Sequence, residues 1–230
     1  MSRIGTALTA IASTLAIGFA LTSPIFAPVA AEEAVRLPAA RVDPAVTATR
    51  ATAILSGGCF WGVEGVFSHT RGVISVESGY HGGSAADASY ERIGEGDTGH
   101  AESVRIVYNP QQVSYGTLLR VFFSVVTDPT TLNRQGPDRG TQYRRAIVPL
   151  NATQAPVARA YLAQLRAGRH WNRPIVTAIE PAQRFYPAES YHQDFLANNP
   201  NHPYIRAWDA PKVAALRTFY PALWRAAPAP

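Results

Sequence analysis

The sequence predicts an α+β fold, a two-layer α/β sandwich in which a mixed sheet carries flanking helices within a single domain. Three observations lead there. The chain has 230 residues, of which 47% are hydrophobic and 16% charged, enough to bury one sizeable core but not two. Segments with the two-residue period of strands and the three-and-four spacing of helices interleave irregularly. No internal repeat is present.

The elements follow in order. Residues 1–31 read as a targeting segment, because Arg3 supplies a positive start, Ile4 to Leu21 is apolar without a charge, and Val29-Ala30-Ala31 offers a cleavage site before Glu32. Export to the periplasm is the expected fate. An uncleaved N-terminal membrane anchor is the alternative, opposed by Pro24, Pro28 and the lack of a basic stop-transfer cluster. Residues 32–50, rich in Ala, Pro and Val without periodicity, read as a flexible linker. The folded domain is expected over 51–225.

Within it, Ala51 to Ser56 is a short buried strand broken by Gly57-Gly58, and a helix runs from Phe60 to His69. Cys59 therefore sits at a strand-to-helix junction. Val73 to Tyr80 and Ser103 to Tyr108 are strands; in the second, Val104, Ile106 and Tyr108 alternate against Ser103, Arg105 and Val107. After the Asn109-Pro110 turn, Ser114 caps a helix whose Tyr115, Leu118, Leu119, Phe122 and Val126 share one face, and Asp128-Pro129 ends it. Ala146 to Leu150 is a strand. Thr153 to Ala167 is a helix with Val157, Tyr161, Leu162 and Leu165 inward, stopped by Gly168. A strand over Ile175 to Ile179 and short helices over Ala188 to Ala197 and from Asp209-Pro211 to Phe219 complete the domain.

Composition excludes some functions. The net charge of +5 comes almost wholly from twenty arginines spread from Arg3 to Arg225, with Lys212 the only lysine. That distribution makes no basic stripe, so nucleic acid is not an expected partner. Six dispersed histidines and one cysteine give no zinc-ligand spacing, so no metal is expected. One cysteine also forbids an internal disulfide.

That cysteine lies in Gly57-Gly58-Cys59-Phe60-Trp61-Gly62. In the first turn of a helix, free N–H groups and the positive end of the dipole favour thiolate, glycines leave room for substrate to approach, and two aromatics can wall an apolar pocket. Taken alone, the stretch fits a buried cysteine in an aromatic core at least as well.

The wider pattern resembles a known family. Gly58-Cys59-Phe60-Trp61-Gly62-Val63-Glu64 is similar to the active-site signature of the A-type peptide methionine sulfoxide reductases. Gly79-Tyr80, Gly82-Gly83, Tyr90-Glu91, Gly99-His100-Ala101-Glu102, Asn133-Arg134-Gln135-Gly136, Asp138, Gly140-Thr141-Gln142-Tyr143-Arg144, Phe185-Tyr186, Ala188-Glu189 and Tyr191-His192-Gln193 recur in the family's order, so the resemblance spans roughly Ala51 to Pro203. It implies a reductase of the S epimer of methionine sulfoxide. Cys59 is then the nucleophile and Glu102 the acid for the sulfoxide oxygen, the latter needing burial to raise its pKa. Tyr90 and Tyr143 hold that oxygen, Phe60 and Trp61 line the methyl pocket, and Asp138 orders substrate or water. His100 and His192 are read as structural.

No bound cofactor is implied, only an external thiol reductant, either a thioredoxin-like protein or a small dithiol, and the enzyme is expected to act as a monomer on oxidised methionine in proteins and peptides. Many relatives carry recycling cysteines after the Asn-Pro motif, whereas here Asn199-Pro200 leads to Tyr204 and a final helix with no thiol. Thr127 stands where many relatives have histidine, Arg145 where serine is common, and Asp87-Ala88-Ser89 replaces the usual Asn-Pro-Thr. These changes are expected at the periphery of the site. Two rival readings remain: a cysteine hydrolase or acyltransferase using Cys59, which needs a histidine base, and a binding module in which Cys59 is inert.

Overall fold

The computed structural model describes residues 33–230, so the expected targeting segment, 1–31, lies outside the described residues. Strands β1 (Ala51–Gly57), β2 (Val73–His81), β3 (Ala101–Tyr108), β6 (Arg145–Val148), β7 (Ala178–Ile179) and β8 (Phe185–Pro187) form a six-stranded sheet in the order β7-β6-β1-β3-β2-β8. The β6–β7 pair is parallel and the other pairs antiparallel, which makes the sheet mixed as expected. In β3, Val104, Ile106 and Tyr108 are buried while Arg105 and Val107 are half-buried, as read from the sequence, but Ser103, expected on the other side, is fully buried.

Helix α1 (Phe60–Ser68) buries every residue except Trp61, consistent with its apolar character all round. It packs on β2 and β3 on one side and on α6 (Ala210–Phe219) on the other, and full burial of a Val or Phe is worth about 1.5–3 kcal/mol. Helix α3 (Tyr115–Val121) begins as expected, with the Ser114 hydroxyl accepting the Thr117 N–H at 3.2 Å. It continues through a π-helical turn over Phe122–Val126. Helix α4 (Gln154–Gly168) buries the four inward residues named from the spacing; Gly168 is its last residue, and Arg169, at φ +49°, takes the left-handed position that ends it.

Other expectations are corrected. The strand over Ile175 to Ile179 shrinks to β7, because the Val176 N–H donates to Pro129 O in a loop at 2.8 Å. The helix over Ala188 to Ala197 does not form. A 3-10 turn (Ser190–His192) and α5 (Phe195–Asn198) replace it, separated by Asp194 at φ +53°. The Gln193 amide is engaged instead with Ser78 of β2, where it both accepts and donates. Elements that went unseen in the sequence include α2 (Tyr90–Gly94), the edge strand β8, and the hairpin of β4 (Arg134–Gln135) and β5 (Asp138–Arg139).

The described part of the linker has no helix or strand, yet it is a packed strap. Leu37 is 1% exposed and sits in the main core. Its N–H donates to Tyr220 Oη at 3.1 Å, its carbonyl accepts from Arg120 Nε at 2.7 Å, and the Val35 N–H donates to Ser124 O. Asp43 Oδ1 accepts the Gly116 N–H at the start of α3, and Tyr161 Oη donates to Pro38 O. An extended segment held by partners distant in sequence leaves no periodic trace.

Candidate active site

Antiparallel pairing assembles the site. The registers Leu55↔Val104, Tyr80↔Glu102 and Gly57↔Arg145 put the ends of β1 and β2 and the starts of β3 and β6 at one end of the sheet. Cys59 follows β1 there as the N-cap of α1, and Glu102 opens β3 beside it. The Phe60 N–H donates to Glu102 Oε2 at 2.9 Å, so the carboxyl group bonds the first backbone amide after the cysteine.

The chemistry of both groups is set by burial. Glu102 is 2% exposed, and loss of water pushes its pKa up to about 8; the Phe60 hydrogen bond works the other way, while the charges of Asp138 and Asp209 add to the rise. Glu102 therefore carries a proton at neutral pH. Cys59 is 7% exposed, and burial pushes its thiol well above the ordinary range, with Asp209 and Glu102 adding to the effect and Lys212 opposing it. This corrects the expectation of a resting thiolate. A helix N-terminus contributes about 0.3–1 kcal/mol, too little to offset desolvation by the packed core.

The glycines before Cys59 also serve a different purpose from the one expected. Gly58 lies at φ +96°, and a Cβ there would fall 1.6 Å from Gln135 Oε1. The space is filled by the Gln135 side chain, whose amide donates to Val126 O at 2.7 Å. Only glycine fits under it.

Tyrosines and other aromatics gather around the same turn. Tyr90 opens α2 with its ring 6.5 Å from that of Phe60, stacked at 21°. Its N–H donates to Glu189 Oε1, while Tyr80 Oη donates to Glu189 Oε2 at 2.6 Å, so Glu189 ties the start of α2 to β2. Burial and the nearby Glu102 charge raise Tyr90 to about 12 and Tyr143 further, so both phenols keep their protons as donors. Trp61 is half-buried, stacked on Phe195 at 3.8 Å, and donates from Nε1 to His192 Nδ1 at 3.0 Å. Phe60 is buried beneath Tyr80, Tyr90 and His192, and so supports the aromatic wall from below.

The histidines are structural in this geometry. His192 receives the Trp61 bond, and burial holds its ring below the ordinary imidazole range. His100 accepts the Gly83 N–H at Nδ1 and bonds Ser84 O through Nε2, fixing the turn after β2. Neither is engaged as a base for the thiol.

Three residues escaped the sequence reading. Tyr204 donates from Oη to Asp138 Oδ2, and the Cys59 charge is among the causes, after burial, that raise its phenol. Asp209 and Lys212, joined at 3.0 Å, both act on Cys59. The Asp209-Pro211 helix start was visible, but nothing in its spacing connects it to Cys59.

A family model described as peptide methionine sulfoxide reductase matches residues 51–222. The chain is 56% identical over 177 residues to a peptide methionine sulfoxide reductase MsrA 2 of Mesorhizobium japonicum, covering 77% of this chain and 91% of that one. It is 47% identical over 208 residues to a peptide methionine sulfoxide reductase MsrA 2 of Synechocystis, covering 90% and 94%. The crystal structure of reduced Mxr1 from Saccharomyces cerevisiae is similar at a TM-score of 0.60 and 32% identity, over 70% of this chain and 92% of that one. With a buried cysteine capping a helix, a proton-bearing carboxyl group from β3 bonded to the first turn of that helix, and similarity running through the whole sheet, the chain belongs to the peptide methionine sulfoxide reductase family.

Proposed function

We propose that the enzyme reduces the S epimer of methionine sulfoxide in proteins and peptides, with Cys59 as nucleophile and Glu102 as acid. The Phe60–Glu102 hydrogen bond carries this reading, because it fixes a protonated carboxyl group at the turn that Cys59 caps. The sulfoxide oxygen accepts a proton from Glu102 and hydrogen bonds from Tyr90 and Tyr143, which makes its sulfur more electrophilic. The Cys59 sulfur attacks, its thiol proton returns to Glu102, and the hydroxyl passes to Cys59. Methionine leaves, reduced by two electrons, and Cys59 remains as a sulfenic acid. The stack of Trp61 on Phe195 supports a role for Trp61 as the wall of the methyl pocket, and the Tyr204 bond to Asp138, whose charge acts on Cys59, supports a role for Asp138 in ordering substrate.

The chain has no second cysteine to resolve the sulfenic acid, so the cycle closes with an external thiol, a thioredoxin-like protein or a small dithiol. The charge pattern and apolar run of residues 1–31 support export, which would put the repair in the periplasm. The test is to mix the chain with peptides carrying each sulfoxide epimer and a dithiol, then measure methionine. Reduction of the S epimer is expected; reduction of only the R epimer, or of neither, overturns the proposal.

A further inference from the structure

A chain that uses arginine twenty times uses lysine once, and that lysine is buried beside the nucleophile. Lys212 is 9% exposed and stands three residues after Asp209, where the π-helical turn Ile205–Asp209 runs without a break into α6. Lys212 Nζ donates to Asp209 Oδ1 at 3.0 Å, and Asp209 is fully buried.

The pair lies against the first turn of α1. A Cβ on Gly62, three residues after Cys59, would fall 2.1 Å from Asp209 Oδ1 and 3.0 Å from Lys212 Nζ. Glycine at 62 thus lets a carboxylate and an ammonium group touch the backbone turn that Cys59 caps. Lys212 also lines a cleft together with Gln135 and Tyr204, the residues that cover Gly58 and hold Asp138.

Resting on the reductase reading, we propose that Lys212, seated by Asp209, is the positioning cation that stabilises the Cys59 thiolate as it forms. The charged surroundings leave that role to it. Glu102 faces the thiol from β3, Asp138 from β5 and Asp209 from the π-helical turn before α6, while the phenols of Tyr90, Tyr143 and Tyr204 come from α2, the turn before β6 and the helical start of that π-helical turn. Of the charged groups that act most strongly on Cys59 among the described residues, Lys212 is the one that favours the anion. A lysine suits this better than an arginine, since its compact point charge fits between a helix backbone and one carboxylate.

The test measures alkylation of Cys59 by iodoacetamide against pH, in the full-length mature protein without substrate. Cys59 is the only thiol, so the signal has a single source. Lys212→Met should slow alkylation at pH 7.5 about tenfold, as a rise of one pKa unit requires. Asp209→Asn, which keeps an oxygen acceptor for the ammonium but removes the negative charge, should speed it. Lys212→Arg should restore part of the rate. A merely structural role for the pair would move Met and Asn variants in the same direction, and that result, or an unchanged profile in Lys212→Met, overturns the proposal. Should Lys212→Met fail to fold by thermal melting, Lys212→Gln is read in its place against the same criteria. Failure of the reductase reading looks different: the wild type would alkylate normally yet form no methionine.

Discussion

Arg145 donates from Nε to Thr127 Oγ1, so two of the positions at which this chain leaves the family's usual pattern are in contact. Both are buried, and the Arg145 guanidinium also donates through Nη1 to Thr131 O. Thr127 and Arg145 are thus one packed unit, which braces the loop leading from the π-helical turn to Gln135. We expect Arg145→Ser to destabilise the fold by about 2–4 kcal/mol, as the loss of a buried charged donor does. In the double variant Thr127→His/Arg145→Ser the two effects should depart from additivity by at least about 1 kcal/mol in urea unfolding. Strict additivity would mean that the contact is incidental.

Cys59→Ser should abolish turnover while leaving the melting temperature nearly unchanged, because a hydroxyl fits the site but cannot form the anion. With substrate and no reductant, the wild type should release about one methionine per chain, the stoichiometry of a single nucleophile. Mass spectrometry should then find one added oxygen, trapped at Cys59 by a sulfenate reagent. An adduct elsewhere would refute the single-cysteine cycle.

Glu102 makes a pH-dependent prediction with a definite sign. Its folded pKa of about 8 lies above the ordinary carboxylate value of 4.5, so the acid is intact at neutral pH and kcat/KM should fall as pH rises through about 8. Linkage runs the same way: between pH 4.5 and 8 the folded state holds a proton that the unfolded state has lost, so this group's contribution to stability declines as pH rises across that window. Glu102→Gln should lower kcat on the order of 10²-fold and remove the alkaline limb attributable to this group. A change confined to KM would make Glu102 a binding residue.

Tyr204→Phe removes the hydroxyl that holds Asp138. A hydrogen bond to a charged group is worth about 1.5–3 kcal/mol, so kcat/KM should drop by roughly 10- to 100-fold if Asp138 orders the substrate. Trp61→Ala should raise KM chiefly, since it opens the wall stacked on Phe195. An unchanged KM in both variants would place the substrate elsewhere.

Leu37→Ala tests the strap. Deleting a fully buried leucine costs about 2–5 kcal/mol, whereas the same change in a free tether costs nothing measurable. Denaturant melts separate the two outcomes.

The sequence by itself determined the strands and helices whose residues repeat at a fixed period, such as β3 and α4, because burial of one face imposes that period on the chain. It also supplied the expected nucleophile, acid and tyrosines, since the family's motifs name residue types at set spacings, and the expectation of an outside thiol, which follows from counting cysteines. Only the tertiary structure decided the protonation of the site. The spacing placed Cys59 at a helix start and suggested a thiolate, but the packed layers around it remove the water on which an anion depends, and this outweighs the dipole. Only the fold, likewise, brought Tyr204, Asp209 and Lys212 to a turn some 150 residues earlier, and seated the strap on α3 and α4. Contacts between segments far apart in the chain leave no mark on local periodicity; they exist only once the layers have closed.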